Sequence, residues 1–479
     1  MQRNKVLPAI GLISLLVLSI SVLVYVTLVA QTPLPPLGDP TSVNRGPFGY
    51  LFDASIPPAY LIFIATILAL LAAAFIATVE IRASNRARRS LEASTYPLSP
   101  RVISDITRGH DSGPIKLTIL IPAHNEADLI VHCITELRTQ LREIDRVVVV
   151  SDNSTDATAE LARGEGVEIY ETVGNTQKKA GALNQVLKAM LPGLKNNDVV
   201  MVLDADTVLD KGFIAAAVRR FENDRGLSAI GGVFYGEPGS GIIGQLQRNE
   251  YVRYGRLLKR RRGRVFVLTG TSTMFRARAL QTVAESRGSM LPGVQGDVYD
   301  THALTEDNEL TMALKTLGAL MESPAECGVI TEVMATRKEL WAQRMRWQRG
   351  ALENVGQYGV TRTTLRYWGQ QLGLGYSAIA LTSFLLLMLL TFLAVDNWVW
   401  FPFWLGVGSI FILERMVSVW SAGWKGRILA FFLIPELIYD MFLNTVFVKG
   451  LIDIAFNREA SWGHIDQAHT PDDLKKDVN

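Results

Sequence analysis

Two aspartates stand two residues apart, Asp204 and Asp206, directly after the apolar run "VVMVL". Close carboxylates repel one another, and a bound divalent cation removes the conflict; oxygen ligands of this kind suit Mg²⁺ or Mn²⁺, which also bind the phosphate oxygens of a substrate. Upstream lies "QKKAGALN", two lysines and a glycine opening a helical pattern, and an anionic phosphate is a natural guest of a helix N-terminus assisted by a lysine. By itself the lysine pair reads equally as a solvated surface. "PAHNEAD" offers Asn125 and Glu126, and "SDNSTDAT" offers Asp152, Asn153 and Ser154, with Ser154 or Thr155 also readable as a simple helix cap and Asp156 in or near the first turn. Together these groups describe a site for a nucleoside diphosphate and a metal. The six histidines have no i, i+4 or H-x-H spacing, and no metal is assigned to them.

A second constellation is "WAQRMRWQRG", with three arginines and two tryptophans in ten residues. An arginine fork can grip a diphosphate through two parallel hydrogen bonds, which suits Arg346. The flat apolar face of Trp347 suits a sugar ring. The same composition also describes an amphipathic helix at a membrane surface, and the two readings are compatible. The run "RLLKRRRGR", six positive charges in nine residues, reads as a solvated patch or one facing anionic lipid.

The elements that must position these residues follow from the apolar pattern. "LTILI" (117 to 121), "VVVV" (147 to 150), "VEIY" (167 to 170) and "VVMVL" (199 to 203) alternate with helical stretches, which indicates a doubly wound α/β domain with parallel strands buried on both faces. Ligands of such sheets bind beyond the carboxyl ends of the strands. On an extended chain Asp204 and Asp206 would point to the same side there.

The rest of the chain is oily. It is 48% hydrophobic over 479 residues, with mean hydropathy +0.19, which fits a membrane protein with one soluble domain better than several soluble domains. Val6 to Ala30 and Ala59 to Thr78 are each long enough to cross a bilayer, which takes about 20 apolar residues. Arg82, Arg86, Arg88 and Arg89 follow the second run, so the positive-inside bias puts the N-terminus and everything after residue 80 in the cytoplasm. Three more apolar segments, Leu374 to Val395, Trp398 to Leu413 and Ile428 to Val448, follow the soluble region; the last carries Pro435, Glu436 and Asp440 and reads either as a span or as a re-entrant or interfacial segment. Cys133 and Cys327 imply neither a disulfide framework nor a zinc site.

In order along the chain, "PAHNEA", "SDNSTD", "KAGALN", "DAD", "TED" (305 to 307) and Q-x-x-R-W (Gln343, Arg346, Trp347), bracketed by apolar spans, resemble the membrane-embedded members of glycosyltransferase family 2, the cellulose, chitin, hyaluronan and poly-N-acetylglucosamine synthases. The resemblance covers roughly residues 115 to 350 with the flanking spans. It implies a Rossmann-like GT-A domain in the cytoplasm, inserted between transmembrane helices and joined to them by interfacial amphipathic helices, in the plasma membrane. The implied segments are two N-terminal helices with an extracytoplasmic loop (1–81), a basic linker (82–114), the GT-A domain (115–335), interfacial helices (336–372), about three C-terminal spans (373–450) and a polar tail (451–479).

By the same resemblance Glu126 and Asp152 meet the nucleoside, Lys179 and Arg346 the diphosphate, and Asp204 and Asp206 the metal. Asp307 is the general base; the residues alone also read it as the N-cap of the helix that follows. Gly270, Thr271, Ser272, Glu306, Gln343 and Trp347 stand on the acceptor side. The implied reaction is inverting transfer from a nucleotide sugar, expected to be UDP-linked, to a growing glycan, with a β-linked product. Alternatives are single addition to a lipid-linked acceptor, or a nucleotide-sensing receptor without turnover. The partners are donor, glycan or glycolipid acceptor and lipid bilayer, with no nucleic acid. The sequence departs from the family where Ser151 precedes Asp152 in place of a second acid, and no counterpart of the cellulose synthase gating loop is found, which disfavours cellulose.

Overall fold

The computed structural model describes residues 51–52, 59–107, 114–261, 263–394, 399–400, 402–456 and 458. The segment Val6 to Ala30 and most of the polar tail lie outside them. The chain divides into two compact units, residues 1–94 with 381–433, and residues 95–380 with 434–479.

The second unit is built on a seven-stranded sheet. In chain order its strands are β1 (Leu117–Ala123), β2 (Arg146–Ser151), β3 (Glu168–Glu171), β4 (Val199–Leu203), β6 (Leu227–Gly231), β8 (Ser272–Arg276) and β9 (Leu320–Glu322), in the spatial order β9-β6-β8-β4-β1-β2-β3. A small second sheet pairs β10 (Gly328–Thr331) with β5 (Val208–Leu209) and β7 (Val233–Gly236). The four branched apolar runs are strands, and β1 to β4 pair in parallel. Val and Ile fill them because both faces are covered: β4 is buried along its whole length, and one apolar cluster packs on each side of the sheet.

The sheet is mixed, however, and not purely parallel. β8 enters antiparallel between β4 and β6, pairing Leu203 with Ser272 and Val199 with Arg276. Its sequence, "STMFR", has no apolar run to announce it. The buried Arg276 is satisfied because its guanidinium donates to the carbonyls of Leu227, Phe221 and Asp224 and to Asn197 Oδ1. One consequence is functional: the start of β8 lies beside the end of β4, so the loop ahead of Ser272 reaches the carboxyl edge of the parallel strands.

The helices that matter for the site are α1 (Thr158–Gly164), α2 (Lys178–Met190), α3 (Gly241–Arg260), α4 (Glu306–Thr316) and α5 (Arg337–Tyr358), the last opened by a capping box between Thr336 and Glu339. Helix α6 (Leu365–Ala394) runs without a break across the expected boundary at residue 373, and its part Leu365–Leu390 is long and apolar enough to cross a bilayer. Leu405–Ser418 and Trp420–Phe432 pass the same test only as a pair, bent by 62°. The basic linker is largely helical, since Ala59–Ala93 is one helix that includes Arg82 to Arg89.

The segment 428–448 is not one continuous helix. It breaks at Leu433, in a left-handed conformation, and the second piece, α7 (Ile434–Ala455), packs against α5 in the sheet unit. Within it Glu436 is buried and accepts from Arg253 at 2.5 and 2.7 Å and from Asn249 at 3.2 Å.

Candidate functional site

At the carboxyl ends of β1 and β2 the two motif loops are stitched together. Asn125 Oδ1 accepts the Thr155 N–H at 2.8 Å, Ser154 Oγ accepts the Asn125 N–H, Asp156 Oδ2 accepts the Ala127 N–H, and Thr158 Oγ1 accepts the Glu126 N–H at 2.8 Å. Both Asn125 and Asn153 take the left-handed backbone that asparagine tolerates better than most residues. The helix after this loop starts at Thr158, later than expected. Ser154 and Thr155 are therefore not its caps; Asp156 Oδ1 instead takes the Thr158 N–H and hydroxyl.

Asp152 is buried, and its Oδ1 accepts from Asn153 Nδ2, Thr172 Oγ1 and Asn175 Nδ2. Asn175 also donates to the Lys178 carbonyl and accepts the Gln177 N–H, so it fixes the start of α2 beside Asp152. That contact requires Gly181, because a Cβ there would stand 2.2 Å from Asn175 Oδ1. Sequence reading missed Asn175 and Thr172, whose polar side chains give no pattern until the strands are assembled.

The acid pair lies on a turn and not on extended chain. The strand ends at Leu203, the Asp204 N–H donates to the Thr271 carbonyl, and the Thr207 N–H donates to the Asp204 carbonyl. Lys179 Nζ lies 2.6 Å from Asp204 Oδ1, 3.4 Å from Glu306 Oε1 and 3.3 Å from the Gly270 carbonyl oxygen. Burial alone would lower the Lys179 ammonium, but the Asp204 and Glu306 carboxylates outweigh it and hold the group above its usual range. Burial pushes Asp204 up to about 6 against the pull of Lys179, and raises Asp206, with Glu332 adding repulsion while the Thr207 hydroxyl opposes. Glu126 is pushed up to about 7 by burial and by Asp206, Glu332 and Asp204. Glu332, just past β10, is a fourth acid that sequence reading did not single out.

Asp307 lies in the first turn of α4. Its Oδ2 accepts the Gly270 N–H at 3.0 Å and its Oδ1 the Asn308 N–H at 2.7 Å. The N-cap position belongs to Thr305, so the capping reading of Asp307 does not hold. Burial and then Glu306 push Asp307 up to about 6, while the Asn308 N–H, Lys179 and Arg346 oppose. Lys179, Gly270, Tyr299, Glu306 and Asp307 line one cavity. Tyr299 was also missed; Asn184 holds its backbone by accepting the Tyr299 N–H and donating to its carbonyl. Thr271 lies beside Asp204, but Ser272 is fully buried, with its hydroxyl against Gly232, so it does not face the cavity.

Helix α5 is brought against the start of α4 by a close approach. A Cβ on Gly350 would stand 2.5 Å from Thr305 Oγ1, and Asn354 Nδ2 donates to both the Thr305 carbonyl and hydroxyl. Arg346 is exposed and acts electrostatically on Asp307. Gln343 presents Oε1, buried and without a hydrogen bond among the described residues. Trp347 is half-buried, with the Arg344 guanidinium 4.3 Å from its ring centre. The structure thus brings together Lys179, Asp204, Gly270, Glu306 and Asp307, with Asp206, Glu126 and Arg346 close enough for their charges to be felt, and leaves Ser272 out.

Residues 118–284 match the sequence model of glycosyl transferase family 2. The chain carries a glycosyltransferase family 2 domain. It is 29% identical over 245 residues to the poly-beta-1,6-N-acetyl-D-glucosamine synthase of Staphylococcus aureus (strain MSSA476), covering 50% of this chain and 55% of that one. It is 26% identical over 252 residues to the synthase of the same name from Staphylococcus epidermidis. The chain therefore spans about half the length of the curated relatives it matches. Among solved structures, the mannosyltransferase PcManGT from Pyrobaculum calidifontis in complex with GDP-Man and Mn2+ aligns with 82% of this chain and 98% of its own, at 17% identity and TM-score 0.48. The glucosyl-3-phosphoglycerate synthase of Mycobacterium tuberculosis aligns with 53% of this chain and 82% of its own, at 16% identity and TM-score 0.35. The family 2 match begins at the second residue of β1 and ends within the helix after β8, so it includes every strand of the mixed sheet except β9.

Proposed function

We propose that this protein is a membrane-bound inverting glycosyltransferase that moves a sugar, N-acetylglucosamine by the names of its relatives, from a UDP-linked donor to a growing β-linked glycan. The single observation that carries the reading is the placement of Asp307 in one cavity with Lys179, at the edge where β4 delivers Asp204 and Asp206. Attack of an acceptor hydroxyl on the anomeric carbon needs a base. Asp307, held by two backbone N–H groups and pushed up to about 6, is ionised at neutral pH yet still basic enough to take that proton.

As the glycosidic bond breaks, charge develops on the nucleotide diphosphate. Lys179 and Arg346 supply the fixed cations on the donor side, and Glu126 and Asp152 flank the nucleoside. Two half-buried carboxylates on one turn, both raised by desolvation and neighbouring acids, suit a hard divalent cation, and Asp204 and Asp206 would hold it. When bound, Mg²⁺ or Mn²⁺ supplies countercharge to the diphosphate oxygens. On the acceptor side the buried, unbonded Gln343 Oε1 can accept from a sugar hydroxyl, and Trp347 offers a face for the ring. Extension is read as processive, with the catalytic unit on the cytoplasmic side of a multi-pass membrane protein.

The test is nucleotide release by the full chain in lipid nanodiscs, with Mn²⁺, across a panel of nucleotide sugars. Release from UDP-N-acetylglucosamine by wild type, absent in Asp307→Asn, with a polymeric product on sizing, is the expected result. Single-sugar products would overturn processivity, and equal release by both proteins would overturn the assignment of Asp307.

A further inference from the structure

Arg344 occupies a variable position of the Q-x-x-R-W pattern, between Gln343 and Arg346, and nothing in that pattern gives it a role. In the structure it is the buried arginine of α5, only 4% exposed, whereas Arg346 faces outward. Its Nη2 donates to Glu250 Oε2 at 2.9 Å and to the Tyr439 hydroxyl at 3.3 Å, and that hydroxyl itself donates to Glu250 Oε2 at 2.6 Å. Three helices meet in this cluster: Glu250 on α3, Arg344 on α5 and Tyr439 on α7. The other nitrogens, Nε and Nη1, make no hydrogen bond among the described residues. The guanidinium is spent on aromatic faces instead, 4.3 Å from the Trp347 ring centre and 5.7 Å from that of Tyr251.

A buried cation that leaves two nitrogens unbonded costs more than one spread over hydrogen-bond acceptors. Burying it here is intelligible if the stacking itself is used. A guanidinium held by a carboxylate and a phenol, and set over an indole, covers one face of that indole and fixes its rotamer, leaving the other face for a ligand. Helix α7 is in turn pinned to α3 by Glu436 with Arg253 and Asn249, so the tether through Tyr439 has a fixed anchor.

We propose that Arg344 is a positioning residue for the acceptor-facing indole of Trp347, and that helix α7 reaches the acceptor site through it. The inference rests on the glycosyltransferase reading above and on an acceptor role for Trp347. It assigns α7 a part in acceptor binding that an apolar span would not have.

The experiment uses the full chain in nanodiscs with UDP-N-acetylglucosamine and short β-1,6-linked N-acetylglucosamine oligosaccharides as the acceptor probe. Arg344→Lys keeps the charge beside Glu250 but loses the guanidinium over the ring. It is expected to raise the acceptor KM about 3- to 10-fold, the size of one side chain's ordering cost, and to leave the donor KM within about twofold. Tyr439→Phe, which loosens the tether without touching charge, moves the acceptor KM in the same direction by less. In a Trp347→Ala background, Arg344→Lys adds nothing further, because its effect runs through the ring. Full multiplication of the two effects, or equal changes in donor and acceptor KM, would overturn the proposal. Should Arg344→Lys fail to fold, Tyr439→Phe alone and in the Trp347→Ala background carries the same comparison. An unchanged acceptor KM in Trp347→Ala alone would sink the acceptor reading of that tryptophan. A raised one, with Arg344→Lys and Tyr439→Phe both at the wild-type value, would sink only the role of Arg344.

Discussion

Asp307 is the residue on which the proposed chemistry turns, and its surroundings set a pH dependence. Its carboxyl is pushed up to about 6 by burial and by Glu306, and a base works only when ionised. Protonation therefore removes activity on the acid side: kcat/KM is expected to be flat above about pH 7 and to fall tenfold per unit well below 6. A profile measured with the divalent cation saturating checks this, and a flat rate down to pH 5 would contradict it. Asp307→Asn is expected to cost roughly 10²- to 10⁴-fold in kcat, the usual worth of a positioned base. For the acid pair, excess chelator should abolish transfer and added Mn²⁺ restore it. Asp206→Asn should raise the Mn²⁺ concentration needed for half-activity while leaving the fold intact, and full activity in chelator would release Asp204 and Asp206 from the metal role. The charged groups that the structure brings together, Lys179, Asp204, Glu306 and Asp307, could be picked out by type and order. Asn175 behind Asp152, Tyr299 with Asn184 behind it, and Glu332, an acid whose charge opposes that of Asp206, were not, because an isolated polar side chain gains its meaning from a partner tens of residues away.

At the scale of elements, the parallel strands announced themselves because burial on both faces demands continuous branched apolar runs. β8 did not, since its polar ends become intelligible only in the assembled sheet: Ser272 pairs with Leu203 at the end of β4, and the Arg276 guanidinium finds its acceptors on β6 and on the segments that precede β6 and β4. The opposite case is α7, whose sequence left open a span or a re-entrant or interfacial segment. Its composition reads as membrane, but Glu436 is buried against Arg253 and Asn249, partners 183 and 187 residues distant in sequence. This difference is measurable. A lipid-facing acid would be improved by Glu436→Leu, whereas here the change removes a buried carboxylate that accepts from Arg253 and Asn249 and should cost about 2 kcal/mol. A lowered unfolding midpoint of the purified protein is the expected outcome, and a raised one would return α7 to the bilayer.

Across the whole molecule, the proposed donor fixes where the catalytic unit must lie. A nucleotide diphosphate carries charge that does not cross hydrocarbon, so the site belongs on the side where such donors are made. Both candidate flanks agree with that side: Arg82, Arg86, Arg88 and Arg89 follow the apolar part of the helix Ala59–Ala93, and Arg362 and Arg366 stand at the start of α6. The two native cysteines are buried, at 2% and 0% exposure, and their thiols are pushed up to about 12, chiefly by burial. They are poor targets for a maleimide, so a single added thiol can report alone. Val173, in the loop after β3, is 84% exposed and its side chain is spent on no packing. Val173→Cys should resist a membrane-impermeant maleimide in intact cells and label fully once the inner face is opened. Labelling of intact cells would place the family 2 domain outside and separate it from the proposed donor, which would overturn the cytoplasmic placement.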